Sequence, residues 1–363
     1  MTDGVHRAAR GLRRAGAGLG RLALILAISF ALLEIAARIR AGRPPESNHL
    51  DLEITRTALP PPYAGRCGGA ADAPLGSLIR PSPVPDLLFE LKRGLDTCFF
   101  GARATISAEG FRAPRSYGRD KPDGTYRVLL LGDSQTFGQG VTYEQTWGAL
   151  LERELQRRAP ERRVEVINTG VPAYNTVQEA AFFAAEGVEY HPDCAVVLFI
   201  GNDVQLSEFL LDPEPGGLAL DRSFAIDALR DIAWFLRRRF MVDTTGVRPS
   251  LLDRVPAKYR HLVGLDAYEG ALRRIAATAR AAGVSVVDIA DYKPLGFRAR
   301  QRRNLDELRR LHEELGISEP PFDYPGGPRY WLSETEHHLS ALGNAELERR
   351  VVDGVRRGCR GLE

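Results

Sequence analysis

Four short and almost uninterrupted apolar runs, separated by segments of helical periodicity, constrain the fold of this chain more than any other feature. A strand that is covered on both faces carries apolar residues without alternation, which is typical of parallel sheets. Strand connections of this kind are right-handed crossovers, so the pattern predicts an α/β fold with a parallel sheet. Strands are predicted at 127–131, 164–168, 194–200 and 284–289, and helices at 142–158, 177–186 and 267–283.

Polar residues and glycines follow three of these runs at the point where each strand should end. The first run continues into LLLGDSQTFGQG, which places Ser134 beside Asp133. Gly170 follows the second run and Asn202 follows the third. Because the carboxyl ends of parallel strands meet at one edge of the sheet, these residues are expected to lie close together. A histidine, His338 in SETEHHLSALGN, comes late in the chain and completes a set suited to nucleophilic catalysis.

Other motifs that place glycines at the end of a strand are excluded by their spacing. A phosphate-binding loop requires lysine after its second glycine, whereas Gly138 precedes Gln139. A nucleophile elbow requires Gly-x-Ser-x-Gly, and Thr136 stands where its second glycine would be. A dinucleotide fingerprint is also absent from this turn. The remaining interpretation is a serine exposed at the start of a helix, where free N–H groups favour negative charge.

With these segments in this order, the sequence resembles the SGNH (GDSL-type) hydrolase family over roughly 125–355, in particular its N-terminally membrane-anchored bacterial members. The resemblance implies a flavodoxin-like three-layer α/β/α sandwich. It implies that Ser134 is the nucleophile and His338 the base, and that Ser134, Gly170 and Asn202 form the oxyanion hole. Asp133 and Asp203 flank two of these residues and are expected to stabilise turns.

The acid partner of the histidine departs from the family pattern. The family usually carries aspartate three residues before the base, and here Thr335 occupies that position. Glu336, two residues before His338, is the preferred candidate, because some anchored relatives use that spacing. Glu334 with His337 is an alternative, but only His338 fits the continuation His-x-Ser-x-x-Gly. A dyad without an acid, oriented by a backbone carbonyl, also remains open.

An apolar run at 22–39 follows five arginines, and three more, Arg38, Arg40 and Arg43, lie at its end and just beyond it. Its length is marginal for a membrane span, which takes about 20 residues. No clean small-x-small cleavage site follows, so an uncleaved signal anchor is favoured over a signal peptide or an amphipathic helix. The arginine excess before the run places the N-terminus in the cytoplasm. A single pass through a bacterial inner membrane would then leave the catalytic domain in the periplasm or outside the cell.

Three parts are predicted: the basic tail and anchor at 1–40, a proline-rich tether and extension at 41–125, and the hydrolase domain at 126–355. An insertion at about 205–265 contains an amphipathic helix at 226–240, which could pack on the domain, cap the substrate or touch a membrane. Cys67 and Cys98 could form a disulfide in an oxidising compartment. Cys194 is expected to be a small buried hydrophobe. Trp147, Trp234 and Trp331 are expected to pack in the core or a cap, and Trp331 is the one to test as a substrate contact because it is close in sequence to the histidine.

The net charge of +2 gives no reason to expect a nucleic-acid partner. Neither the cysteine nor the histidine spacing is typical of a metal site, and no cofactor is expected. The predicted function is a serine esterase acting on acyl esters, with O-acetyl groups of polysaccharide as the expected substrate because of the location. An O-acetyltransferase with the same residues and a catalytically silent glycan-binding or scaffolding domain are the alternatives.

Overall fold

The structure, a computed structural model, describes residues 2–41, 67, 72–212, 223–240, 247–290, 302–334 and 336–362. In these residues the chain forms the following helices and strands in order: α1 (Thr2–Ala41), α2 (Leu75–Leu78), β1 (Ile79–Pro81), β2 (Phe89–Leu91), β3 (Asp96–Phe99), β4 (Ala102–Thr105), β5 (Thr125–Leu131), α3 (Ser134–Phe137), α4 (Trp147–Arg158), β6 (Arg163–Asn168), α5 (Thr176–Ala185), β7 (Cys194–Phe199), α6 (Phe224–Phe240), α7 (Pro249–Leu252), α8 (Leu265–Ala282), β8 (Ser285–Ala290), α9 (Arg302–Leu315) and α10 (Ala341–Gly358).

The central sheet has four parallel strands in the order β6-β5-β7-β8. Leu129 of β5 pairs with Ile167 of β6 on one side and with Ala195 of β7 on the other. All four predicted strands and the parallel α/β fold class are confirmed. The strand order reverses at β5: the next strand of the sheet along the chain, β6, lies on one side of it, and the one after that, β7, lies on the other. Such a reversal opens a crevice at the carboxyl ends of the strands, where ligands of these folds bind.

Helices cover both faces of this sheet, so the architecture has three layers. On one face, apolar side chains of α4 and α10 pack with Val128, Leu130 and Val196 in one buried core. On the other face, the ring of Tyr268 in α8 lies 4.7 Å from that of Phe199 in β7. These two cores hold β5 and β7 in place. They therefore also fix where the loops after these two strands begin.

Several elements differ from the sequence-based expectation. The helix predicted at 142–158 begins only at Trp147, because the Thr146 side chain accepts a hydrogen bond from the Ala149 N–H and acts as its N-cap. The segment predicted as a proline-rich tether and extension at 41–125 includes α2 and β1, where Leu78 and Ile79 are fully buried. Residues 42–66 of that tether lie outside the described residues. Helices α9 and α10 were not predicted, although both are amphipathic.

Two disulfides join the four cysteines of the chain. The predicted Cys67–Cys98 pair is present, with its Cα atoms 6.0 Å apart. The expectation for Cys194 was wrong in one respect: the residue is fully buried, but it is bonded to Cys359 just beyond α10. Sequence spacing could not reveal this pair, because the two cysteines are 165 positions apart and meet only when α10 packs on the sheet.

The chain divides into two compact units. One comprises Met1–Ser47, Asp212–Arg237 and Arg248–Arg254, and the other comprises Asn48–Leu211, Arg238–Val247 and Val255–Glu363. The first therefore combines α1 with most of the predicted insertion helix, and the second contains the sheet. Within α1, Arg21–Arg40 is a 20-residue segment of mean hydropathy 2.2, long and apolar enough to cross a membrane.

Candidate active site

Ser134 lies at the start of α3, three residues beyond the end of β5. Asp133 is the N-cap of this short helix, and its carboxylate accepts a hydrogen bond from the Gln135 N–H at 2.9 Å. A side chain at Gly132 would clash with Thr136, since a Cβ there would lie 2.1 Å from the Thr136 hydroxyl. Glycine therefore lets the strand turn sharply into α3, which sets the serine at the carboxyl end of the sheet.

His338 is carried by a tight hairpin near the C-terminus. Trp331 and Leu339 pair across it, and the Leu332 N–H donates to the His338 carbonyl at 2.9 Å. At the tip, the Ser333 N–H donates to the Glu336 carbonyl at 3.2 Å. The backbone of this hairpin therefore fixes the histidine and the glutamate relative to each other.

The hairpin brings His338 to Ser134 across 204 positions of sequence. His338 Nε2 lies 2.7 Å from Ser134 Oγ, and His338 Nδ1 makes a hydrogen bond with Glu336 Oε1. Burial opposes the ionisation of Glu336, but hydrogen bonds from His338 outweigh it and leave the pKa of this carboxyl below its usual value. A carboxylate, an imidazole and a hydroxyl thus form a continuous chain of hydrogen bonds.

The alternative pair of Glu334 and His337 does not form such a chain. His337 Nε2 lies 3.3 Å from the backbone carbonyl of Glu334, and the imidazole stacks on Trp331 with ring centroids 4.2 Å apart. Trp331, which pairs with Leu339 in the histidine hairpin, is half-buried. Trp147, by contrast, is fully buried in the core.

Asp133 connects the serine to the third predicted site residue, Asn202. The Asn202 side-chain amide donates to Asp133 Oδ2 at 2.9 Å, and Ser134 Oγ lies 3.3 Å from the same oxygen. Burial raises the pKa of Asp133, although the hydrogen bond from Asn202 opposes the shift. An amide carries two hydrogens, so Asn202 keeps one for a substrate while Asp133 fixes its orientation. Asp203 also makes the expected turn contact, accepting from the Ile200 N–H.

Gly170 has a different local role from the one predicted. Its N–H donates to the Asn168 side-chain oxygen at 3.0 Å, so it is not free to bind an oxyanion. A Cβ at this position would lie 2.5 Å from the backbone nitrogen of Phe137. The position requires glycine because the loop packs directly on the backbone of α3. The N–H of Ser134 itself makes no hydrogen bond with any described residue.

Sequence reasoning missed Ala173, three residues further along the same loop. Its φ of 73° is in the left-handed region, where residues other than glycine are strained by about 1 kcal/mol or more. The Tyr174 N–H donates to the Val171 carbonyl at 3.1 Å and closes a turn with Pro172 in second place, a turn type that demands positive φ at its third residue. The sequence VPAY carried that signal. The Ala173 N–H has no partner among the described residues, and its carbonyl accepts from Ser207.

The described residues contain one group with the size and chemistry to hold a metal ion: Cys67, Asp72 and Cys98. Its two sulfurs are bonded to each other, which leaves the Asp72 carboxylate as its only charged ligand. Disulfide sulfurs are poor ligands, so the donor set does not fit a metal.

A family profile described as the GDSL-like lipase/acylhydrolase family matches residues 130–345. Among solved structures, TesA is 17% identical with a TM-score of 0.43, covering 64% of this chain and 98% of its own. The esterase EstA from Pseudoalteromonas sp. is 14% identical, with a TM-score of 0.39 and coverage of 65% and 98%. An acetyl xylan esterase from Geobacillus stearothermophilus is 16% identical, with a TM-score of 0.36 and coverage of 63% and 94%. No curated protein matches the sequence.

Proposed function

Since the chain belongs to the GDSL-like lipase/acylhydrolase family and is an ester-hydrolysing enzyme, we propose that Ser134 is its nucleophile. The observation that carries this proposal is the hydrogen-bonded series from Glu336 through His338 to Ser134 Oγ, with 2.7 Å between the imidazole and the hydroxyl. A serine hydroxyl is a weak nucleophile until a neighbouring base accepts its proton. This arrangement supplies both the base and the carboxylate that orients it.

The reaction begins when His338 Nε2 takes the proton of Ser134 as Oγ attacks the ester carbonyl carbon. Glu336, kept ionised by its contact with His338, stabilises the resulting imidazolium. The imidazolium then returns the proton to the departing alkoxide, and the carbon–oxygen bond to the alcohol breaks. Water repeats the sequence on the acyl-Ser134, with His338 again accepting and returning a proton, and releases the carboxylic acid.

The oxyanion of the tetrahedral intermediate is proposed to be bound by the Ser134 N–H, the Asn202 amide and the Ala173 N–H. Ala173 replaces Gly170 in this proposal because the Gly170 N–H already donates to Asn168. Two contacts support the placement of the Ala173 turn. The Val171 N–H at its start donates to the Gly132 carbonyl at 3.1 Å, and the Ala173 carbonyl accepts from Ser207, beyond Asn202. The loss of one such donor typically costs about 3–4 kcal/mol of transition-state stabilisation.

The enzyme is further proposed to be anchored by α1 in a bacterial inner membrane, with its catalytic unit in the periplasm or outside the cell. The 20-residue apolar segment Arg21–Arg40 and the arginines before it support this orientation. The two disulfides support it independently, because they persist in oxidising compartments. A location outside the cytoplasm makes acylated polysaccharide, and O-acetyl esters in particular, the proposed substrate.

A fluorophosphonate tests the nucleophile in the full chain held in detergent or nanodiscs. The reagent is expected to label the wild type at Ser134 and to leave Ser134→Ala unlabelled, with hydrolysis of p-nitrophenyl acetate abolished in the variant. Equal labelling or turnover by the two proteins would remove Ser134 from the mechanism. A structure of the phosphonylated enzyme would then show whether the phosphoryl oxygen lies within hydrogen-bond distance of the Ala173 N–H or the Gly170 N–H.

Hydrolysis and acetyl transfer use the same residues and are separated by the acceptor. The enzyme is given an O-acetylated glycan as donor together with an unacetylated glycan. A hydrolase releases free acetate, while a transferase moves the acetyl group to the second glycan. The silent glycan-binding alternative drew its support from the absent aspartate at position 335. The position of Glu336 argues against a silent domain, because Glu336 makes the contact with His338 that the aspartate would have made.

A further inference from the structure

One face of α6 is apolar and exposed, the reverse of what a helix packed on a soluble domain presents. Five of its large apolar side chains are about half exposed: Ile226 (50%), Leu229 (48%), Ile232 (55%), Phe235 (60%) and Leu236 (49%). Their spacing of three and four residues places them on one side of the helix. Contiguous apolar surface of this kind marks an interaction site.

The polar side of α6 is the side that contacts protein. Arg230 forms an ion pair with Asp253 at 2.7 Å, and Asp231 accepts a hydrogen bond from the Ser250 hydroxyl at 2.6 Å. Both partners lie at α7, within the same compact unit. These contacts fix the rotation of the helix about its axis, so the apolar face is directed away from α7 by specific polar pairing.

The beginning of α6 is attached to the apolar helix α1. Glu34, inside the segment Arg21–Arg40, accepts hydrogen bonds from the Phe224 N–H at 3.1 Å, the Ala225 N–H at 2.7 Å and the Ser223 hydroxyl at 2.7 Å. Arg38, one turn beyond Glu34, lies over the Phe224 ring at 5.1 Å. A carboxylate at a helix N-terminus is stabilised by the free N–H groups there. The apolar face of α6 therefore starts beside the C-terminal end of the candidate span.

We infer that the apolar face of α6 lies in the interfacial layer of the lipid bilayer that receives α1. Continuity with the candidate span favours lipid as the occupant, because the apolar face of α6 begins at Glu34, less than two helical turns before the C-terminal end of that span. The helix does not cross the membrane itself, since it carries Asp227, Arg230 and Asp231 in its first half. An amphipathic helix of this kind lies in the plane of the interface with its apolar side buried about 5–10 Å. The inference rests on the proposed anchoring by α1.

Spin labels in the full chain test this contact. The four native cysteines are paired, so an added cysteine provides a single thiol for a nitroxide. Labels at Ile232→Cys and Phe235→Cys report on the face, Leu26→Cys reports on the anchor, and Arg349→Cys, on the exposed side of α10, reports on water. In nanodiscs with one copy per disc, power saturation measures collisions with oxygen, which partitions into lipid, and with a nickel chelate, which stays in water.

The expected result is that the 232 and 235 labels resemble the Leu26 label, with raised oxygen collisions and a loss of nickel collisions relative to Arg349. Nickel collisions at 232 and 235 equal to those at 349, with the Leu26 label protected, would overturn the inference and leave the anchor intact. Protection of 232 and 235 from both reagents would identify protein as the occupant and overturn it equally. A Leu26 label open to nickel would refute the anchor itself, separately from the esterase activity.

Discussion

At the scale of single residues, the active site depends on which glutamate faces the histidine. Glu336→Gln is expected to lower kcat for p-nitrophenyl acetate by about 10³–10⁴-fold, because a neutral amide neither holds the reactive tautomer nor stabilises the imidazolium. Glu334→Gln is the matched control, since Glu334 is exposed and meets His337 only through its backbone. Equal rates for Glu336→Gln and the wild type would exclude Glu336 as the acid, and a loss confined to Glu334→Gln would restore the alternative pair.

The residues of the candidate site were predictable to different degrees. Ser134 and Asn202 follow apolar strands directly, so the edge of the sheet fixes both from the sequence pattern alone. The assignment of an oxyanion donor to Gly170 could not be checked without side-chain positions, because it depends on where the Asn168 amide points. Ala173 was overlooked for a related reason: an alanine at positive φ leaves no compositional signal, and only the proline before it indicates the turn.

At the scale of elements, α9 is joined to the sheet through a buried histidine. His312 Nε2 lies 2.7 Å from Oδ2 of Asp288 in β8, and the Tyr268 hydroxyl donates to the same oxygen at 3.0 Å. Burial disfavours the charged imidazole, but the contact with Asp288 outweighs burial and raises the pKa of His312 above its ordinary value. The docking of α9 on β8 thus includes an ionic contact that depends on pH.

A raised histidine pKa has a definite sign for stability. The contribution of His312 is complete below the pKa of an unfolded histidine, about 6.5, and is lost as the pH rises through the higher pKa of the folded protein. The unfolding midpoint of the wild type should therefore fall above about pH 6.5 more steeply than that of His312→Gln. His191→Gln is the control and should retain the wild-type slope, because His191 is exposed and forms no ion pair with the described residues. If the unfolding midpoints of the wild type and His312→Gln depended on pH in the same way, the proposed contribution of His312 would be wrong.

Strands were predicted more accurately than helices, and the reason is physical. A strand of this sheet is buried on both faces, so its apolar run begins and ends with the element itself. Helix starts depend instead on single hydrogen bonds such as the Thr146 cap of α4. The amphipathic pattern of α10 was equally readable, but its partner surface on the sheet becomes evident only in three dimensions.

At the scale of the whole molecule, the Cys194–Cys359 disulfide closes a loop of 165 positions around the catalytic core. Replacing both cysteines with alanine should lower the free energy of unfolding by about 2–5 kcal/mol, because the cross-link restricts the unfolded chain. Trp147 belongs to the same buried core, so its fluorescence during denaturation in detergent is a suitable measurement. Replacement of Cys67 and Cys98, which are 31 positions apart, should have a smaller effect. A larger loss of stability on removing Cys67–Cys98 than on removing Cys194–Cys359 would contradict this. It would show that strain in the folded protein or residual structure in the unfolded chain matters more than loop length.

The hairpin that carries His338 lies near the end of the polypeptide, while Ser134 lies in its first half. A chain emerging from the ribosome or a translocation channel therefore completes the four strands of the sheet before the proposed base, His338, has emerged. With His338 as the base, the serine hydroxyl has no proton acceptor during that interval, and a chain truncated before residue 338 is expected not to cleave esters. The Cys194–Cys359 disulfide can form only after this step, because residue 359 follows the histidine in the sequence.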